Sequence, residues 1–133
     1  MYTITRKNRI REELQLCHEN GDVALAVTVD INADDEAGKI SAVNAELETA
    51  RLALQKEDAG KEEEEKAGKA MLALFEAVFG KEQLQEILAF YEGREAEMIL
   101  DVYPFVRDEI LMKVFTAVNL RKKQIIELLG RKA

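Results

Sequence analysis

An α+β fold, mostly α, follows from three observations. Asn20-Gly21 stands between two runs of alternating apolar residues, the apolar spacing changes from two to about 3.5 residues after Ile31, and 34% of the residues are charged, with one proline and no tryptophan. Together they predict a single domain: an N-terminal antiparallel β-hairpin followed by a helical bundle, with coiled-coil pairing left open. Its parts are the hairpin at residues 1–31, a long helix or helical hairpin at 32–79, and C-terminal helices at 80–133. A chain of 133 residues is long enough to bury about two thirds of its unfolded surface in one core.

The hairpin comes first. Asn-Gly favours a two-residue type I′ turn, which needs positive φ at both central residues. That turn sets Glu19 opposite Asp22, Leu16 opposite Leu25, Leu14 opposite Val27 and Ile10 opposite Ile31. One face then carries Ile10, Leu14, Leu16, Val23, Leu25, Val27, Val29 and Ile31, and the other Arg11, Glu13, Gln15, Thr28 and Asp30. Glu12 is discordant, because the register puts it on the apolar face opposite Val29, where it requires an exposed strand end or a cation. Upstream, Tyr2 and Ile4 alternate with Thr3 and Thr5, the pattern of a short extended piece.

Beyond Ile31, the stripe Ile40, Val43, Leu47, Ala50 and Leu54 marks an amphipathic helix. Asn32, Asp34 and Asp35 are its N-cap candidates, and Asp34, Asp35 and Glu36 suit its positive end. From Gln55 to Lys66 the stripe dissolves into charge, and two readings stand: one helix through 33–79, or a break at Asp58-Ala59-Gly60. The break is preferred, since a domain of this size has too little core to support a rod of about 70 Å. Ala67, Ala70, Met71, Leu74, Phe75 and Val78 form the next apolar stripe, which ends at Gly80. A short helix with Leu84, Ile87, Leu88 and Tyr91 stops at Gly93. A further helix is expected from Arg94 to Tyr103, and the last is expected to begin near Pro104 and to stop at Gly130.

Composition narrows the function. A net charge of −7 disfavours nucleic acid as a partner, because phosphate binding needs clustered cations. The basic spots at Arg6 to Arg11, at Arg121, Lys122 and Lys123, and at Arg131 and Lys132 read as solubilising and helix-terminal charge. No apolar run approaches the roughly 20 residues that span a bilayer, so no membrane role is expected. Cys17 is the only cysteine, which excludes an internal disulfide, and no apolar run of signal-peptide length follows Arg6, Lys7, Arg9 and Arg11. A cytoplasmic protein is the expectation.

Reactive constellations are sparse. Glu62 with Glu65 and Glu97 with Asp101 fit poorly to the carboxylate pairs of all-α magnesium-dependent nucleotide pyrophosphohydrolases, and the first pair lies in the most polar segment, where a solvated charged face is expected. Glycines stand singly, so no phosphate loop forms, and His18 beside Cys17 in a strand points to the opposite face. No cofactor or metal site is expected. Core packing accounts for most of the aromatics, but Phe90, Tyr91, Tyr103 and Phe105, with large apolar residues on two sides of the last helix, suit two readings equally: a groove for an apolar helix, or faces that pack on the hairpin and on a second copy of the chain. The groove's candidate contact residues are Tyr91, Tyr103, Phe105, Leu111, Phe115 and Val118.

Several stretches carry a resemblance: Leu16-Cys-His-Glu-Asn-Gly-Asp, Val29-Asp-Ile-Asn-Ala-Asp, Leu74-Phe-Glu-Ala-Val-Phe-Gly-Lys-Glu-Gln, Ile87-Leu-Ala-Phe-Tyr-Glu-Gly and Val102-Tyr-Pro-Phe. They resemble small proteins encoded among the tail-morphogenesis genes of phages and prophages of Gram-positive bacteria. The resemblance implies a non-enzymatic tail assembly chaperone that binds helical segments of a phage tail (tape-measure) protein and keeps them soluble. A structural subunit of a phage tail or similar particle is the alternative, with the pyrophosphohydrolase a distant third. The matching residues are turn formers, caps and core positions, so the resemblance assigns no functional residue. Homo-oligomerisation is expected too, because the hairpin has open edges and the stripe Ile40, Val43, Leu47, Leu54 calls for a partner helix or for cover from later helices.

Overall fold

The computed structural model describes residues 1–4 and 9–130. Two antiparallel strands, β1 (Arg9–Cys17) and β2 (Val23–Asn32), lead into α1 (Ala33–Leu54), α2 (Lys61–Phe79), α3 (Lys81–Phe90) and α4 (Glu95–Phe105). A π-helical turn at Val106–Leu111 joins α4 directly to α5 (Met112–Gly130). The α+β, mostly α architecture is therefore as the sequence predicts. Residues 1–4 belong to no strand; Thr5, Arg6, Lys7, Arg131 and Lys132 lie outside the described residues.

Pairing follows the expected register from Ile10↔Ile31 through Leu14↔Val27 to Leu16↔Leu25, and then slips, so that Cys17 faces Val23. The turn is not type I′. Among its residues only Gly21 has positive φ (+91°), Gly21 N–H donates to the His18 carbonyl (2.9 Å) and His18 N–H to the Asp22 carbonyl (2.8 Å). This is a three-residue loop, Glu19-Asn20-Gly21, in which Asn20 Oδ1 accepts from Asp22 N–H at 3.0 Å and so stabilises a conformation that needs positive φ at the glycine alone. The slip turns Val23 out of the apolar face, leaving it 51% exposed. Ile10, Leu16, Val27, Val29 and Ile31 remain buried against the helices. Glu12 stays opposite Val29 and meets the Lys113 ammonium, which also bonds Glu109 at 3.0 Å.

One edge of the hairpin is closed by a side chain. Gln83, in the first turns of α3, accepts from Thr28 N–H at 2.9 Å and donates to the carbonyls of Thr28 and Phe79, both at 2.8 Å. Its amide thus mimics a paired strand residue for β2 and ties the sheet to the α2–α3 corner. Gln83→Ala is expected to cost about 1–2 kcal/mol, since the exposed backbone groups recover part of the loss from water. Urea unfolding measures that loss, and faster amide exchange at Thr28 than at Val29 locates it.

Asn32 is the N-cap of α1: its Oδ1 accepts from the N–H groups of Asp34 (3.0 Å) and Asp35 (3.3 Å). The helix ends at Leu54 and the chain turns back, so the break near Gly60 is the correct alternative. Gly60 precedes α2, and its N–H donates to Glu63 Oε2 at 2.9 Å, which holds the Glu63 carboxyl below the usual range. Ile40 and Leu47 are fully covered by the chain's own helices, and Leu54 is left partly open. Gly80 separates α2 from α3 with φ +82°, as expected for a glycine at that junction.

The last helix does not begin at Pro104. Proline lies inside α4, and the helix runs on through the π turn into α5. Leu100, whose carbonyl loses its α-helical donor to the proline ring, lies with Pro104 on the exposed side, where water can serve it. Apolar spacing explains the π turn. Met98, Val102, Val106, Ile110 and Val114 recur strictly every four residues and all are buried. On an α-helix of 3.6 residues per turn each step overshoots by about 40°, which would swing the stripe about 160° between Met98 and Val114. The wider π turn takes up a large part of that swing, and all five side chains stay buried. Around them pack Leu74, Phe75 and Ile87, with the hairpin face and Ile40 closing the other side.

Candidate interaction surface

The six residues expected to form one groove fall in separate places. Leu111 is buried in the core, and Phe115 is half-buried against it. Phe105 stacks on Phe79, with ring centroids 6.2 Å apart and planes 17° apart. Tyr91, Tyr103 and Val118 line three different depressions. The physical reason is the uninterrupted helix: without a break at Pro104, Tyr103 and Phe105 project to different sides of a single rod, whereas the groove required a corner between them.

Tyr103 opens on the most apolar of these depressions. The second half of α1 contributes Leu47, Glu48, Arg51 and Leu54, the first half of α2 Ala67, Gly68 and Met71, and α4 Ile99 and Tyr103, around a cleft of about 260 Å³. Its polar groups sit at the rim, where Arg51 donates to Glu48 at 2.7 Å. Gly68 lies in its wall. A Cβ at that position would meet no atom within 4 Å, so close packing does not explain a glycine that costs α2 about 1 kcal/mol relative to alanine. An apolar, unfilled cleft between helices, with charge confined to its edge, is suited to the side chains of an incoming helix.

A second depression is polar and lies between the hairpin loop and the α3–α4 corner, lined by Cys17, His18, Phe90, Tyr91, Arg94 and Asp101 among others. Glu92 and Gly93 turn the corner with φ +55° and +79°, closing α3 with a bond from Gly93 N–H to the Leu88 carbonyl (2.9 Å). The Tyr91 hydroxyl donates to Asp101 Oδ2 at 3.1 Å, and Arg94 pairs with Glu92 and Glu97. Glu62 pairs with Lys66 on the exposed start of α2. Among the described residues no group of three or more histidine, cysteine or acidic side chains is placed to hold a metal ion. Among them, too, no helix is long and apolar enough to cross a membrane.

Burial, then the Asp101 hydrogen bond, pushes the Tyr91 hydroxyl up to about 12. In the unfolded chain it ionises near its ordinary value of about 10, so between those values the unfolded state binds fewer protons and stability falls as pH rises. The loss is expected to build up across that window and to be complete only above the folded value. Tyr91→Phe should flatten this alkaline limb, as followed by denaturant unfolding from neutral pH upward.

Sequence reasoning missed Leu54 and Met71 as a surface because each lies on a stripe that elsewhere is core, and it placed Ile99 on no stripe at all. The available signal was Ala67-Gly68, two small residues in mid-helix where a core face calls for large ones. No family model matches the chain, and no curated protein or solved structure is significantly similar to it.

Proposed function

We propose that this protein is a non-enzymatic assembly factor that holds an apolar helical segment of another protein, and that the partner is a phage tail protein of the tape-measure kind implied by the tail-morphogenesis resemblance. The observation that carries the reading is the apolar cleft of Leu47, Leu54, Met71, Ile99 and Tyr103, with Gly68 in its wall. A helix lying across it inserts two or three side chains one turn apart, while its own polar face stays in water. Tyr103, the one member of the expected contact set in this cleft, supplies the large, rigid anchor typical of such contacts.

Co-expression with the tail proteins of the same gene cluster, followed by capture on the tagged chain, tests this. Leu54→Asp and Tyr103→Ala, both at positions short of full burial, should lower capture at least tenfold with melting close to wild type. Capture of none of these proteins by the wild-type chain would sink the reading. Recovery of the chain from finished particles by mass spectrometry would replace it with that of a structural subunit.

A further inference from the structure

A second apolar surface lies at the end of α5. Leu111, Val114, Val118, Arg121, Ile125 and Leu128 recur at alternating steps of three and four, the spacing of one helix face. Burial falls steadily along that line: Leu111 and Val114 are core, Val118 and Arg121 half-buried, and Ile125 and Leu128 exposed, at 48% and 70%. Ile126 and Leu129 widen the exposed part, at 60% and 79%. The seam therefore leaves the fold after it passes Asp34 and Ala37 at the start of α1. The α1–α2–α4 cleft begins at Leu47, about 15 Å further along α1 at ~1.5 Å per residue, and α5 contributes nothing to it.

We propose that the end of α5, Ile125 to Leu129, docks in the α1–α2–α4 cleft of a second copy of this chain. Charge selects this arrangement over others. The α5 end carries Lys122 and Lys123 against one carboxylate, Glu127, Arg121 being paired with Asp34 of its own chain at 3.3 Å, whereas residues 55–66, which adjoin the cleft, carry six carboxylates against three lysines. Pairing one α5 with another would bring the lysines of both together, and pairing two clefts would do the same with the acidic turns, whereas end-to-cleft contact joins opposite signs. The contact is heterologous, so it closes a ring or extends a filament. It rests on the cleft being a helix-binding site, and it adds a regulation: the α5 end and the partner helix compete for one cleft, so partner binding releases copies from one another.

Disulfide trapping in the full chain tests it. In a Cys17→Ser background, Leu129→Cys and Ala67→Cys are made as separate proteins and mixed under mild oxidation. The mixture should yield a crosslinked pair at least tenfold more than either protein alone, and less as salt rises to about 0.5 M. Leu128→Asp with Leu129→Asp should abolish association in light scattering, keep the melting temperature, and raise partner capture severalfold. Crosslinking of Leu129→Cys alone as strong as in the mixture would overturn the proposal, and so would a 15.0 kDa species alone at about 100 µM without crosslinks. A specific crosslink together with failure to capture any tail protein would uphold the contact and remove only the chaperone reading.

Discussion

Val27→Asp is expected to leave the chain unfolded or aggregated at room temperature. Val27 is 1% exposed, faces Leu14 across the hairpin and belongs to the core shared with the helices. An ionised group there costs several kcal/mol, against a total stability on the order of 5–15 kcal/mol for a domain of this kind. Leu14→Asp is the informative companion. Leu14 is only half-buried, so its carboxylate keeps contact with water and the loss should be smaller, leaving a folded protein with a lowered midpoint. Circular dichroism melts of the two variants decide the matter; wild-type melting in Val27→Asp would show that the hairpin face is not held against the helices.

Phe75→Ala should cost about 3–5 kcal/mol, the largest effect expected of any single truncation here. Phe75 is fully buried on α2 and meets Phe79 edge to face, with centroids 6.0 Å apart and planes 88° apart. Phe79 in turn stacks on Phe105 of α4, so the three rings link α2 to the helix that carries the π turn. Removing the first leaves a cavity between elements far apart in sequence, which local collapse cannot easily fill. Chemical denaturation gives the value. Phe105→Ala, at the half-buried end of the same row, should lose clearly less, and equal losses would mean that the row is not graded by burial.

Local chemistry was enough for much of the fold. Apolar alternation specified the two strands and the face that had to be covered, because a strand's side chains alternate whatever packs on them, and the position of Asn20-Gly21 specified the register from Ile10 to Leu16. Asn32 as a cap, the turn before α2 and the junction at Gly80 were equally legible, since each depends on a backbone group and a side chain within a few residues. The turn type was not. Asn-Gly fits two loops of different length, and the slip between Leu16 and Cys17 selects the longer one.

Tertiary structure decided what local rules leave open. Pro104 signalled a helix start, yet the strict four-residue spacing from Met98 to Val114 rewards an unbroken rod with a π turn, because core burial of five side chains outweighs one lost hydrogen bond. That same continuity separates Tyr103 from Phe105 and dissolves the expected groove. The cleft at Gly68 was illegible for a related reason: a stripe shows which side chains seek cover, but only the placement of α1, α2 and α4 determines which of them are left without it.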